Sequence, residues 1–126
     1  MPNQEPKRVV AVVNDLFFSV KLTEAAKRAG MGLEFAKEHA QALEMAKSRP
    51  SLLVLDLNFD AAQPLDLIRE LKSSPETKNV RLLGYLSHIQ ADLKAQAQEA
   101  GCDMVLARSA FSQNMHQLFR RHAGVM

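Results

Sequence analysis

Leu52-Leu53-Val54-Leu55-Asp56 is an apolar run closed by a single carboxylate. An uninterrupted β-type run fits a strand covered on both faces, the usual state of a central strand in a parallel sheet. In such sheets, ligands and chemistry collect beyond the carboxyl ends of the strands. Asp56 therefore stands where a buried strand ends and a crevice opens. A carboxylate there also suits a simple cap on the following turn, and the run alone does not separate the two readings.

Upstream, Arg49-Pro50 ends a helical stretch from His39 to Ser48 that carries Ala42, Leu43 and Ala46 on one face. Gly32 to Ala36 alternates apolar and polar residues, as a half-covered edge strand does. A helix before it has the stripe Phe18, Leu22, Ala25 and Ala29, with Lys21, Glu24, Lys27 and Arg28 facing water and Gly30 as its stop. Val9 to Val13 is a β-branched run ending at Asn14-Asp15, which predicts a buried first strand. Downstream, a loop through Asn58, Phe59 and Asp60 leads to Pro64 at a first helical position, with Leu65, Ile68 and Leu71 as the apolar stripe. Val80 to Tyr85 predicts a fourth strand, Ala91 to Ala100 a weakly apolar helix closed by Gly101, Met104 to Ala107 a fifth strand, and Ser112 to His122 a final helix. Repeated β then α units with short connections imply an α/β architecture, a parallel sheet between two layers of helices.

The 126 residues suffice for one domain that hides roughly two-thirds of its unfolded surface without staples. The single cysteine, Cys102, and the polar lead Met1-Pro2-Asn3-Gln4-Glu5-Pro6-Lys7-Arg8 argue for a reducing, cytoplasmic setting and against a signal peptide. No segment has membrane-spanning length. A net charge of +2 with scattered basic residues argues against nucleic acid as a partner.

In a doubly wound sheet the strand ends converge, which gathers Asn14, Asp15, Asp56, Ser87, His88 and Arg108. Ser87 and His88 invite a nucleophile-and-base reading, yet a triad needs facing side chains and an orienting third group rather than sequence neighbours. His88 reads instead as a loop residue on the site rim. His39, His116 and His122 lack ligand spacing, and one cysteine makes no zinc pattern. A nucleotide or flavin site would want a Gly-rich phosphate loop after the first strand, where Asp15-Leu16-Phe17-Phe18 is acidic and then bulky. Phe17 reads as a core residue, with exposure beside the acidic pocket as the alternative.

Over essentially its whole length the chain resembles the receiver domain of bacterial response regulators. Val12-Val13-Asn14-Asp15 resembles the acidic-pair segment, Leu55-Asp56-Leu57-Asn58 the phosphoacceptor segment, and Ala100-Gly101-Cys102-Asp103 the lead into the last strand. The resemblance implies a flavodoxin-like, doubly wound five-stranded parallel sheet in the order 2-1-3-4-5, formed by a single domain over residues 1–126 with no output domain. It implies a stand-alone signal-transduction protein of a two-component phosphorelay rather than an enzyme. The partner would be a histidine kinase or another signalling protein, with neither nucleic acid nor membrane involved.

Carried over by position, Asp56 would be the phosphoacceptor, with Mg2+ held by Asp15, Asp56 and the backbone carbonyl of Asn58. Such chemistry needs cations because a carboxylate is a weak nucleophile and the charge developing around phosphorus must be met. Arg108 stands for the family's lysine and is expected to pair with Asp56 at rest, Ser109 stands for the following proline, and Ser87 serves as the switch hydroxyl if the loop is one residue shorter. Asn14 removes one acid from a hard-cation site, which should weaken magnesium binding. A guanidinium is no neutral replacement for an ammonium. Val105 occupies the position where many receivers carry a switching aromatic, and Pro64 falls where glycine is common. These departures leave a second expectation open, a phosphorylation-independent pseudo-receiver acting as a protein-interaction module.

Overall fold

Five strands and five helices alternate along the chain in a computed structural model that describes residues 7–87 and 90–123. They are β1 (Arg8–Val12), α1 (Leu16–Arg28), β2 (Gly32–Phe35), α2 (His39–Ala46), β3 (Leu52–Asp56), α3 (Pro64–Ser73), β4 (Leu82–Leu86), α4 (Ala91–Ala100), β5 (Met104–Ala107) and α5 (Arg108–His122), with a 3-10 turn at Asp60–Ala62. The strands are parallel and ordered β2-β1-β3-β4-β5, as expected.

Period-two alternation sorts the central strands onto two cores. Val9, Ala11, Leu52, Val54, Leu83 and Tyr85 pack under α1 and α5, whereas Val10, Val12, Leu53, Leu55, Leu82 and Leu86 pack under α2, α3 and α4. Residues Leu52 to Leu55 are fully buried, which explains a run with no polar alternation. On the α3 side, Leu57 lies over Gly84, where an added Cβ would stand 3.0 Å from a Leu57 methyl. At the end of α4, Gly101 adopts φ +115, a left-handed conformation that favours glycine.

Several boundaries differ from the sequence reading. The fourth strand begins at Leu82 rather than Val80, because the Val80 N–H closes a turn on the Thr77 carbonyl at 3.0 Å and the buried Thr77 hydroxyl donates to Leu71 O at 2.7 Å. Lys72 and Asp103, paired at 2.9 Å, then take up Val80 O and Leu82 N at the strand's start. The second helix ends at Ala46, and Arg49 turns left-handed (φ 58) before Pro50. Along α3 the fully buried stripe is Leu67, Ile68 and Leu71, with Leu65 only half-buried. The last helix begins at Arg108, four positions before the expected Ser112, so no loop separates it from β5.

His39 has a structural role in place of a ligand role. Its ring bonds Ala62 O through Nδ1 at 2.8 Å and meets the Glu70 carboxylate through Nε2, clipping α2 to the turn after β3 and to α3. Burial opposes charging the ring, but the Ala62 carbonyl and the Glu70 carboxylate overcome it and raise its pKa above 6.5. A raised folded pKa gives stabilisation that is fully present below the unfolded value and lost as pH rises through the higher folded value. Stability should therefore decline from pH 6.5 upward, and His39→Gln should flatten that segment of the profile. Denaturant unfolding across this window checks it, and an unchanged slope in the variant would count against the clip.

Candidate functional site at the strand ends

The carboxyl ends of β1, β3 and β4 open onto a cleft of about 660 Å³ lined by Asn14, Asp15, Asp56, Asn58, Tyr85, Ser87 and Arg108, among others. Each side chain is placed by a local rule. Asp15 is the N-cap of α1, its carboxylate accepting the Phe18 N–H at 3.1 Å. Asp56 ends β3 and accepts the Asn58 N–H at 2.9 Å, an Asx-type turn that fixes its direction. Asn58 holds the residue after β4 and the residue before α4, its Oδ1 accepting from Ser87 N and its Nδ2 donating to Gln90 Oε1, both at 2.9 Å. The capping reading of Asp56 is thus correct as far as it goes, and it coexists with a position on the cleft.

Arg108 departs from expectation. Its guanidinium forms an ion pair with Asp15, not with Asp56, and lies over the Phe18 ring at 4.9 Å from the centroid. As the first residue of α5, its long side chain crosses to the start of α1. Burial works to raise the Asp15 pKa, but the Phe18 N–H and then Arg108 hold the carboxyl below the usual range. Asp56 shifts the other way. Burial raises it, the Asn58 N–H and the charge of Arg108 oppose that rise, Asp15 adds to it, and the nearby Tyr85 hydroxyl lowers it slightly. Arg108 thus acts on Asp56 through space.

The sequence reading missed Tyr85. It is the cross-strand partner of Asp56, only 2% exposed, and stacked on Phe18 at 4.5 Å with Phe111 at 5.6 Å. Its hydroxyl lies close enough to the Asp56 carboxylate to interact electrostatically, yet it makes no hydrogen bond of good geometry among the described residues. Burial pushes the phenol far above its ordinary range, so it remains a neutral donor at physiological pH. A lone tyrosine in an otherwise apolar buried strand was the available signal, because a buried hydroxyl needs somewhere to point.

Ser87 lines the cleft beside Arg108. His88 lies outside the described residues. Val105 is buried under α4 on the opposite face from Asp56. Phe17 is 82% exposed and Leu16 79%, with Val20 exposed beside them, so the start of α1 presents an apolar patch next to the cleft rather than a core contribution.

For a divalent cation the donor set is poor. Asn14 offers an amide where an acid would help, the Asp15 carboxylate is neutralised by Arg108, and the Asn58 carbonyl already accepts Asp60 N at 3.1 Å. Among the described residues, no group of three acidic, histidine or cysteine side chains is arranged to hold a metal ion. These residues do not fit a tightly held resident Mg2+.

The architecture and the cleft together define a receiver fold. A response regulator from Hahella chejuensis superposes with a TM-score of 0.83 at 18% identity, over 92% of this chain and 94% of that one. The phosphorylated cyanobacterial phytochrome response regulator RcpA gives 0.78 at 17%, over 93% and 91%. The receiver domain of a sensor histidine kinase from Pseudomonas aeruginosa, with magnesium coordinated in its active-site cleft, gives 0.80 at 15%, over 95% and 99%. No protein-family model matches the sequence, and no curated protein matches it significantly. Likeness at these identities establishes the fold; the chemistry rests on the residues. No helix among the described residues is long and apolar enough to cross a membrane.

Proposed function

We propose that the chain is a signalling receiver whose Asp56 accepts a phosphoryl group. The observation that carries this reading is the placement of Asp56, a carboxylate ending a buried central strand and held by the Asn58 N–H at the mouth of the cleft, with Ser87, Tyr85 and Arg108 around it. In the transfer, one Asp56 oxygen forms the bond to phosphorus as the donor's bond to phosphorus breaks, and its electron pair leaves with the donor. From a phosphohistidine, the departing imidazole nitrogen takes up a proton. The raised pKa of Asp56 leaves its carboxylate the more basic of the two cleft acids, which suits a nucleophile. The reading does not rely on a resident metal.

The exposed Leu16, Phe17 and Val20 support a protein partner, a histidine kinase or another signalling protein, docking beside the cleft. Exposure to a small phosphodonor with magnesium should add one phosphoryl mass to the intact protein, and Asp56→Asn should take up none. Specific observations also favour the second reading, a phosphorylation-independent interaction module: the cation is spent on Asp15, and Asn14 replaces an acid. An unmodified wild type after long incubation would make that second reading the better account.

A further inference from the structure

A buried hydroxyl with no partner is costly, and a fold that retains one beside a nucleophilic carboxylate calls for a physical reason. Tyr85 comes close to this case: its buried hydroxyl reaches the Asp56 carboxylate but forms no bond of good geometry with it. Its ring is fixed between Phe18 and Phe111, at centroid distances of 4.5 and 5.6 Å, so the hydroxyl cannot swing away to find another acceptor. Its backbone is in register with Asp56 across β3 and β4, and the residue lines the same cleft. The resting carboxylate has its Oδ1 committed to Asn58 N, and it leaves the phenol O–H without a well-formed bond.

We infer that Tyr85 is an oxyanion-binding residue, its phenol O–H donating to an oxygen of the tetrahedral group that Asp56 carries once modified. This rests on the reading of Asp56 as the acceptor. A phosphoryl group extends beyond the carboxylate and brings three further acceptor oxygens into the cleft, which supplies a better-placed acceptor than the resting carboxylate. A neutral donor suits the task in this pocket, because the nearby guanidinium is engaged by Asp15. The aromatic stack then provides a second consequence: any shift of the phenol is passed directly to Phe18 on α1 and Phe111 on α5.

Beryllofluoride, which mimics a phosphoryl group on a carboxylate, provides the probe, with binding followed by fluorine NMR in excess magnesium. Wild type should bind it, Asp56→Asn should not, and Tyr85→Phe should bind about tenfold more weakly while melting at the wild-type temperature or slightly above. Equal affinity in wild type and Tyr85→Phe overturns the inference and leaves Asp56 as acceptor untouched. A lowered melting temperature in Tyr85→Phe also overturns it, because the hydroxyl would then be bonded at rest. No binding to wild type overturns both readings together.

Discussion

Phe111→Ala should lower the stability of the free protein by about 3–5 kcal/mol, the usual cost of truncating a fully buried phenylalanine. Phe111 is wholly inaccessible and joins Phe18, Tyr85 and Phe119 at centroid distances of 5.6, 5.6 and 6.4 Å. The loss combines the removed transfer energy with a cavity that stacked rings cannot easily close, and aromatic pairing adds to it. Such a loss is a large share of the roughly 5–15 kcal/mol that holds a domain of this size together. The melting temperature should fall by about 10 °C or more. Because Phe18 supports both the Tyr85 ring and the Arg108 guanidinium, the variant should also disturb the cleft. Denaturant unfolding measures the first effect and amide shifts at Asp15 and Asp56 the second. A cost below about 1 kcal/mol would mean that the cluster repacks freely and does not define the cleft.

Arg108→Ala should bind Mg2+ about tenfold more tightly than wild type, an unusual direction for the loss of a site residue. The guanidinium neutralises Asp15 and places a positive charge where a divalent cation would have to approach. Removing one unit charge about 5 Å from a divalent ion changes its energy by roughly 1.7 kcal/mol even at the dielectric of water, and every 1.4 kcal/mol is about tenfold in affinity. The change in protein stability should be small, since both partners of the pair are partly exposed. Titration followed by amide shifts reads the affinity directly. Equal or weaker binding in the variant would show that Arg108 does not compete with the metal, and the poor donor set alone would then set the affinity.

Much of the architecture was legible because it rests on local patterning. The run from Leu52 to Leu55 could be read as a central strand since burial on both faces removes polar alternation, and the stripe Phe18, Leu22, Ala25 and Ala29 could be read as a helix since its neighbours at other phases are charged. Asp15 and Asp56 were found because they close such runs. What the sequence withheld depends on relations across the sheet. Tyr85 becomes a site residue only through its register with Asp56, which neighbouring residues in the chain do not encode. Arg108 was expected against Asp56 and lies against Asp15, because a long side chain at the first turn of α5 reaches across to the start of α1 and also finds the Phe18 face there. The early start of that helix had no signal, since Arg108 to Phe111 contains neither a capping residue before it nor a proline within it. Phe17 was expected in the core by residue type, whereas its phase on α1 turns it outward one position away from buried Phe18.

Locating the modified residue decides whether Asp56 carries the phosphoryl group. After treatment with a small phosphodonor and magnesium, borohydride reduction converts an aspartyl phosphate to homoserine, which peptide mass mapping can place in the sequence. Homoserine is expected at position 56 alone, with none in Asp56→Asn. Homoserine at another position, or none anywhere in a protein that remains folded, would contradict it.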